Sequence, residues 1–458
     1  MSVAERYRRT LKRLLWLYFW LLIFEGALRK WFLPHLSAPL LVARDPVVLA
    51  IYALALARGI FPRNGYVMCT LILAGFGFFA SFWGMGNLKI TLFGLHADFL
   101  HLPLIFLVPR IFDFNDVKQL GKWVLVLSVP MAVLAVLQFR ASPGSWINAA
   151  ASGGQEGGGQ LFAAIGRIRP AGVFSFVTGM VSFLTLVAAF LGRHFADNKV
   201  YPTKLVYAAM GALAVSLMVS GSRSAVASVA IVVAVLMLVG LSRGAASLGY
   251  LKYAVLFCAA FFIMTRIPVF HEGLMVHEQR FENGGGIHEG LVLRFWDELA
   301  NSFHECAVAP PLGMGLGLGT NAGAGLLSGQ RQFLLSEEGE WGRVISESGA
   351  VAGLAYIALR FAIFFHILRA ALRSFRMGNS LPVLLLGATG LDLLTGQFGQ
   401  PTELGFVIFT SGLCLVPPAA GPEAAPAPME EGAPLPAKIR GRSAYAEALH
   451  GDKPKGGA

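Results

Sequence analysis

Residues 66–84 read YVMCTLILAGFGFFASFWG and residues 225–241 read AVASVAIVVAVLMLVGL, and neither stretch holds a charged residue. Crossing about 30 Å of hydrocarbon at 1.5 Å per residue takes roughly 20 mostly apolar residues in a helix. Lipid offers the backbone no water, so such runs close their own hydrogen bonds as helices. Short alternating strands of the kind that build a membrane barrel do not occur in the sequence. The rest of the 458-residue chain is of the same kind: 55% of its residues are hydrophobic and 14% charged, with mean hydropathy +0.63. A soluble domain carries about 25% charged residues. The sequence therefore predicts an all-α, polytopic integral membrane protein of about 12 transmembrane helices with one large periplasmic loop containing short helices.

The predicted spans are 12–28, 44–60, 66–84, 88–108, 120–138, 172–192, 204–220, 224–241, 250–266, 344–367, 380–396 and 402–417. Two outside loops are long, 139–171 and 267–343. Residues 1–416 form the membrane domain, and 417–458, rich in Pro, Ala and Glu and then Lys and Arg, form a disordered cytoplasmic tail. The first apolar run is too long, and lacks the small-residue site, for a cleaved signal peptide. Cys69, Cys258 and Cys414 fall in spans and Cys306 in the second loop, which gives no disulfide framework.

The net charge of +11 does not point to nucleic acid, because the basic residues lie in short clusters between spans. Arg6, Arg8, Arg9, Lys12, Arg13, Arg58, Arg63, Arg110, Lys118, Lys122, Arg193, Lys199, Lys204, Arg369, Arg373 and Arg376 all fall on one side if both termini are cytoplasmic. That pattern predicts a multi-pass protein with both termini on the cytoplasmic side. Arg29, Lys30 and Arg44 run against it, and a Glu25–Arg29 pair at i,i+4 masks part of that charge.

Within the second loop, LVLRFWDELANSFHE at 291–305 predicts a short amphipathic helix lying on the membrane or against the bundle. The following PLGMGLGLGTNAG has the look of a phosphate loop but lacks a preceding strand and its Lys, so it predicts a turn where backbone meets backbone. In the fourth span, His96, Asp98 and His101 interrupt an apolar run; the histidines are five apart, off a single helical face, and predict a satisfied core cluster with no metal. SGSRS lacks nucleophile-elbow spacing. Arg167, Arg169, Arg223, Arg294 and Arg343, with Glu337, Glu338 and Glu340, converge on the outer face. A planar guanidinium suits phosphate oxygens, so the set suits a pyrophosphate-linked lipid, against a background of ordinary headgroup contacts or pairing with the glutamates.

Four segments together resemble the O-antigen ligase and O-antigen polymerase superfamily. They are RPAGVFS at 169–175, SGSRSA at 220–225, the stretch from Arg294 and Trp296 to Pro311, Leu312, Gly313, Gly315 and Gly317, and Glu347-Ser348-Gly349. The resemblance covers about residues 165–365. It implies a metal-independent, cofactor-free inverting glycosyltransferase acting on an undecaprenyl-pyrophosphate-linked glycan at the periplasmic face. Its implied partners are the bilayer, that glycan, and polysaccharide chain-length or export proteins. Arg169, Arg223 and Arg294 correspond by position to arginines of the family pattern; with Arg167 and Arg343 of the outer-face set they would bind the pyrophosphate, Arg223 stabilising its departure. The family usually has His-Asn about ten residues before its Glu-x-Gly; here Glu338 and Gly339 stand there, which puts the base role on Glu338 or Glu340. Two other classes compete: a transporter or flippase of lipid-linked glycans, and a non-catalytic membrane partner in envelope polysaccharide assembly.

Overall fold

The computed structural model describes residues 3–84, 87–151, 164, 166–197, 200–243, 265–282, 294–320, 323 and 339–418. Among them the regular elements are all helical. They are α1 (Val3–Ala27), α2 (Asp45–Ala57), α3 (Gly65–Ala80), α4 (Leu88–Leu95), α5 (Leu104–Ile111), α6 (Phe114–Arg140), α7 (Val177–Ala196), α8 (Thr203–Val219), α9 (Arg223–Ser242), α10 (Pro268–Glu282), α11 (Arg294–Val308), α12 (Glu340–Ser348), α13 (Ala350–Arg376), α14 (Leu381–Thr395) and α15 (Pro401–Cys414). Two π-helical turns, Leu28–Phe32 and His96–Leu100, follow α1 and α4.

Local chemistry sets several starts. Asn64 accepts from Val67 N at 2.9 Å, and Asn87 from Lys89 N at 3.1 Å. Asp113 accepts from Asp116 N at 3.1 Å while its own N donates to Asp116 Oδ2 at 2.8 Å, closing a reciprocal box.

Among the described residues five helices are long and apolar enough to cross a membrane: Pro34–Ala57 (α2 with the short turns before it), α6, α7, α9 and α13. The α4–α5 pair, bent by 49°, makes a sixth if it is one span, and α3, α8 and α14 are apolar but shorter. Of these five, α7 is the most enclosed, packed against α6, α8, α9, α14 and α15. Outward faces carry large apolar side chains: Leu56, Ile72 and Phe79 on α2 and α3, Val133 on α6, Leu238 and Leu241 on α9. Water disfavours so much exposed apolar surface, whereas hydrocarbon does not, so these faces fit a membrane protein.

The bundle has two polar ends. At one, Lys12 pairs with Asp113 (2.6 Å) and Asp116 (2.5 Å), Arg110 donates to Ile60 O at 2.8 Å, and Asp197 accepts from Ser380 Oγ at 2.8 Å and Arg243 at 3.2 Å. At the other lie Arg29, Lys30 and Arg44, the residues that broke the charge pattern. They are buried, and so do not act as topology signals. Arg29 donates to Ser37 O (2.9 Å) and faces Glu25 at 3.6 Å, Lys30 donates to Gly172 O (2.7 Å), and Arg44 binds Glu25 (3.1 Å) and the Pro401 carbonyl.

Two expected spans are corrected. The one expected at 88–108 is broken by the π turn and its bend. The one expected at 344–367 is two helices, α12 and α13, divided at Gly349, whose φ of +81° an L side chain rarely adopts. Residues 250–264 of the span expected at 250–266, the 152–163 glycine run and the tail beyond 418 lie outside the described residues. Helix α11 forms where the amphipathic pattern predicts one; Leu299 and Cys306 pack against Trp341, Ile345 and Ile357. The glycine run after it is the backbone-on-backbone turn. Gly313, at φ +76°, lies so close to the Glu347 carbonyl that a Cβ would collide with it, and a Cβ on Gly317 would meet Ile90 O.

Gly313→Ala is expected to lower unfolding stability in detergent by at least about 2 kcal/mol, from positive φ and the fixed carbonyl together. Gly144→Ala, with no atom within 4 Å of the added carbon, is the control and should change it by less than about 0.5 kcal/mol. Equal stability of both variants would contradict this packing.

Candidate functional site

The polar end holding Arg29 and Arg44 gathers the four sequence segments in two pairs. In the first pair, Ala171 of RPAGVFS packs with Val177 and Val181 of α7, Leu217 of α8 and Ala225 of α9. The SGSRS turn therefore stands beside the RPAGVFS strand of chain. Gly221 turns the backbone at φ +53°, and Ser222 caps α9 by accepting from Ala225 N at 3.4 Å. Half-buried Arg223 opens that helix.

Helix α10 lies across both segments. Its Glu272 takes Arg167 in a two-pronged pair, Nε to Oε1 at 2.6 Å and Nη2 to Oε2 at 3.1 Å. Arg167 Nη1 also reaches the Phe139 and Arg140 carbonyls at the C-terminus of α6, where the helix dipole favours a cation. Gly273 lets α10 approach the Met218 carbonyl. One turn on, His277 Nε2 lies 2.9 Å from Leu217 O and 3.4 Å from Ser220 Oγ. A carbonyl only accepts, so Nε2 carries the hydrogen. Nδ1 then holds a bare lone pair, buried and without a hydrogen-bond partner. Burial, with the charge of Arg280, holds this imidazole below its ordinary pKa, so it is neutral at pH 7.

The second pair joins the glycine run to α12. Met314 N donates to Ser346 O at 2.8 Å and Gly315 N to Glu347 O at 3.0 Å. Gly317 N and Gly319 N both donate to the Glu347 carboxylate, each at 2.8 Å. The run does make an anion-binding row of amides, and its anion is the protein's own carboxylate. Arg343 lies at the centre: Nη2 to Asp98 Oδ1 at 2.6 Å, Nε to Glu340 Oε2 at 3.0 Å, Nη1 to Glu347 Oε2 at 2.9 Å. Glu340 Oε1 further accepts from Arg360 Nη1 at 3.1 Å and Phe398 N at 3.2 Å. Arg360 stacks 3.9 Å over the Phe398 ring and donates to three carbonyls, of Leu393, Asp392 and Gly396.

The turn 396–400 ties the two pairs together. Phe398 N reaches Glu340, while Gln400 accepts from Thr178 Oγ1 at 2.7 Å at the start of α7. Beside the RPAGVFS segment lies a cavity of about 20 Å³ lined by Lys30, Gln138, Asn148, Arg169 and Ser175, room for about one water.

The expected site residues therefore separate. Arg169 lines the cavity, Arg223 and Arg167 lie around the SGSRS turn, and Arg343 and Glu340 are enclosed in a charge network. Glu340 has both oxygens engaged in that network, a poor start for a base. Glu337 and Glu338 lie outside the described residues; Arg294 opens α11, with its side chain outside them. The residues that sequence reasoning missed are His277, Glu272 and Lys30. No motif marks His277; the one signal is a glycine one turn before it, which allows the close approach of α10. No protein-family model matches the chain, and no curated protein matches it.

Arg343→Ala leaves three buried carboxylates short of their shared cation and is expected to cost about 3–5 kcal/mol. Arg167→Ala, whose pair with Glu272 is about a third exposed, should cost about 1 kcal/mol or less. Unfolding of the two variants in the same detergent checks this; an Arg343 variant no less stable than the Arg167 variant would contradict the network's role.

Proposed function

We propose that this chain transfers or polymerises a lipid-linked oligosaccharide, carried on undecaprenyl pyrophosphate, at the periplasmic face of a bacterial inner membrane. In this reading about twelve spans alternate, both termini are cytoplasmic, and the end bearing Arg169, Arg223 and His277 is the periplasmic one. The alternation is supported by Lys12, Arg110, Arg243 and their partners gathering at the opposite end. The observation that carries the reading is the neutral imidazole of His277, held against the SGSRS turn that also supplies Arg223.

In the reaction an acceptor sugar hydroxyl attacks the anomeric carbon of the donor. The bond from that carbon to the phosphate oxygen breaks, and the lipid pyrophosphate leaves with the electron pair. Arg169 and Arg223 stabilise the charge that develops on it. His277 Nδ1 takes the hydroxyl proton, in the role first placed on Glu338 or Glu340. Chain-length or export proteins are the expected partners. A second reading, a non-catalytic partner in polysaccharide assembly, is favoured by the full engagement of Glu340.

His277→Ala and Arg223→Ala are each expected to lower turnover of a purified lipid-linked glycan about 100-fold or more in protein that remains folded. Because His277 must be neutral to act and its pKa is lowered, the acid limb of kcat/KM is expected below pH 6.5. Undiminished turnover in His277→Ala would remove the base. Wild-type protein that is folded yet inactive, with polymer still lost on its deletion, favours the non-catalytic partner, and units trapped on the cytoplasmic side favour a flippase.

A further inference from the structure

The histidines His96 and His101 are brought together by a feature that the five-residue spacing argument did not include. A regular α-helix puts residues i and i+5 on different faces. The π turn His96–Leu100 is wider, closing i to i+5. It sets the two rings 5.2 Å apart and nearly perpendicular, at 86°. Asp45, the first residue of α2, faces both. Its Oδ2 lies 2.7 Å from His96 Nδ1 and its Oδ1 lies 3.2 Å from His101 Nε2. One ligand atom from each of the three residues falls within 4.8 Å of the others, and His96 and His101 are 5% and 1% exposed.

His101 is satisfied as it stands, with Nδ1 3.1 Å from the Tyr18 hydroxyl and Nε2 facing Asp45. His96 is not. Both its nitrogens are buried and without a hydrogen-bond partner, although Nδ1 lies 2.7 Å from a carboxylate oxygen. The Asp45 carboxylate thus reaches both rings, while neither nitrogen of His96 makes an aligned hydrogen bond. We propose that Asp45, His96 and His101 hold a divalent transition metal ion, with zinc the best match.

The donor set supports the choice. Two imidazoles and one carboxylate suit zinc, with bonds of about 2.0–2.2 Å, and are too nitrogen-rich for calcium or magnesium. Donors around such an ion lie about 3.3 Å apart at tetrahedral angles, which small side-chain shifts reach from the present separations. The Tyr18 hydroxyl holds the outer nitrogen of His101, the kind of second contact that orients a ligating imidazole. The other charges near the site are Arg44, which faces Tyr18 at 3.5 Å and pairs with Glu25 at 3.1 Å, and Arg29, 3.6 Å from the same glutamate. The role is a brace. The ion would clamp the bent α4–α5 pair to α2, and the same π turn carries Asp98 to Arg343 on its other side. The site stands independently of the transfer reaction proposed above.

The test uses full-length protein purified through a tag other than polyhistidine and without chelator. Metal analysis is expected to find about one zinc per chain, falling to about a tenth in His96→Ala and in Asp45→Asn. Replacement by cobalt in the wild-type protein is expected to give the visible bands of a tetrahedral nitrogen–oxygen site, a readout that holds if the variants do not fold. Metal below about a tenth per folded wild-type chain after incubation with equimolar zinc would overturn the proposal. So would metal retained equally by His96→Ala, which marks adventitious binding, or a cobalt spectrum of octahedral type.

Discussion

A guanidinium taken out of water must be surrounded by charges and acceptors that replace it, and Arg343 is buried to within 5% of full enclosure. Two of its three carboxylates, Glu340 and Glu347, flank it one turn away on α12, and the third, Asp98, comes from the distant π turn. Each of them is fixed again from elsewhere. Tyr356 holds the backbone of Asp98, the amides of Gly317 and Gly319 hold Glu347, and Arg360 with Phe398 N holds Glu340. One cation thus sets the positions of the glycine run, α12, α13 and the 396–400 turn. Apolar packing can slide by a residue at small cost; a buried ion network cannot.

This gives the polar end a division of labour. The enclosed charges of α12 and α13 are the frame. Around RPAGVFS and SGSRS, Arg167 with Glu272 and Arg223 are less enclosed, above the buried His277. Helix α10 couples the two segments through Glu272 and His277, five residues apart on one amphipathic helix. The arginines that the sequence presents as a single set are therefore of two kinds: Arg343 is buried, whereas Arg167, Arg169 and Arg223 are half-buried.

Much of the architecture was legible because hydrocarbon imposes it. Apolar runs of about 20 residues have one solution, and the helices lie where those runs lie. The amphipathic helix after residue 291 and the backbone-lined glycine turn follow from spacing and from the absence of a Cβ. Three features were hidden. The π turn adds one residue to a helical turn, which no hydrophobic pattern records, and so the spacing argument separated His96 from His101. Arg29, Lys30 and Arg44 counted as outside charges; the expected Glu25–Arg29 pair is present, but their other partners include Ser37 O, Gly172 O and the Pro401 carbonyl, backbone groups that carry no sequence signal. His277 acquires its neighbours only through the docking of α10.

The central claim is that the arginine- and histidine-bearing end of the bundle faces outward, opposite the end held by Lys12 and Asp113. Single cysteines at exposed Ser224 and exposed Met377, placed in a chain with its native cysteines replaced, test it with a membrane-impermeant maleimide on intact cells. The account predicts labelling at Ser224→Cys in intact cells and at Met377→Cys only after permeabilisation. The reverse pattern, or labelling of both positions in intact cells, would contradict it.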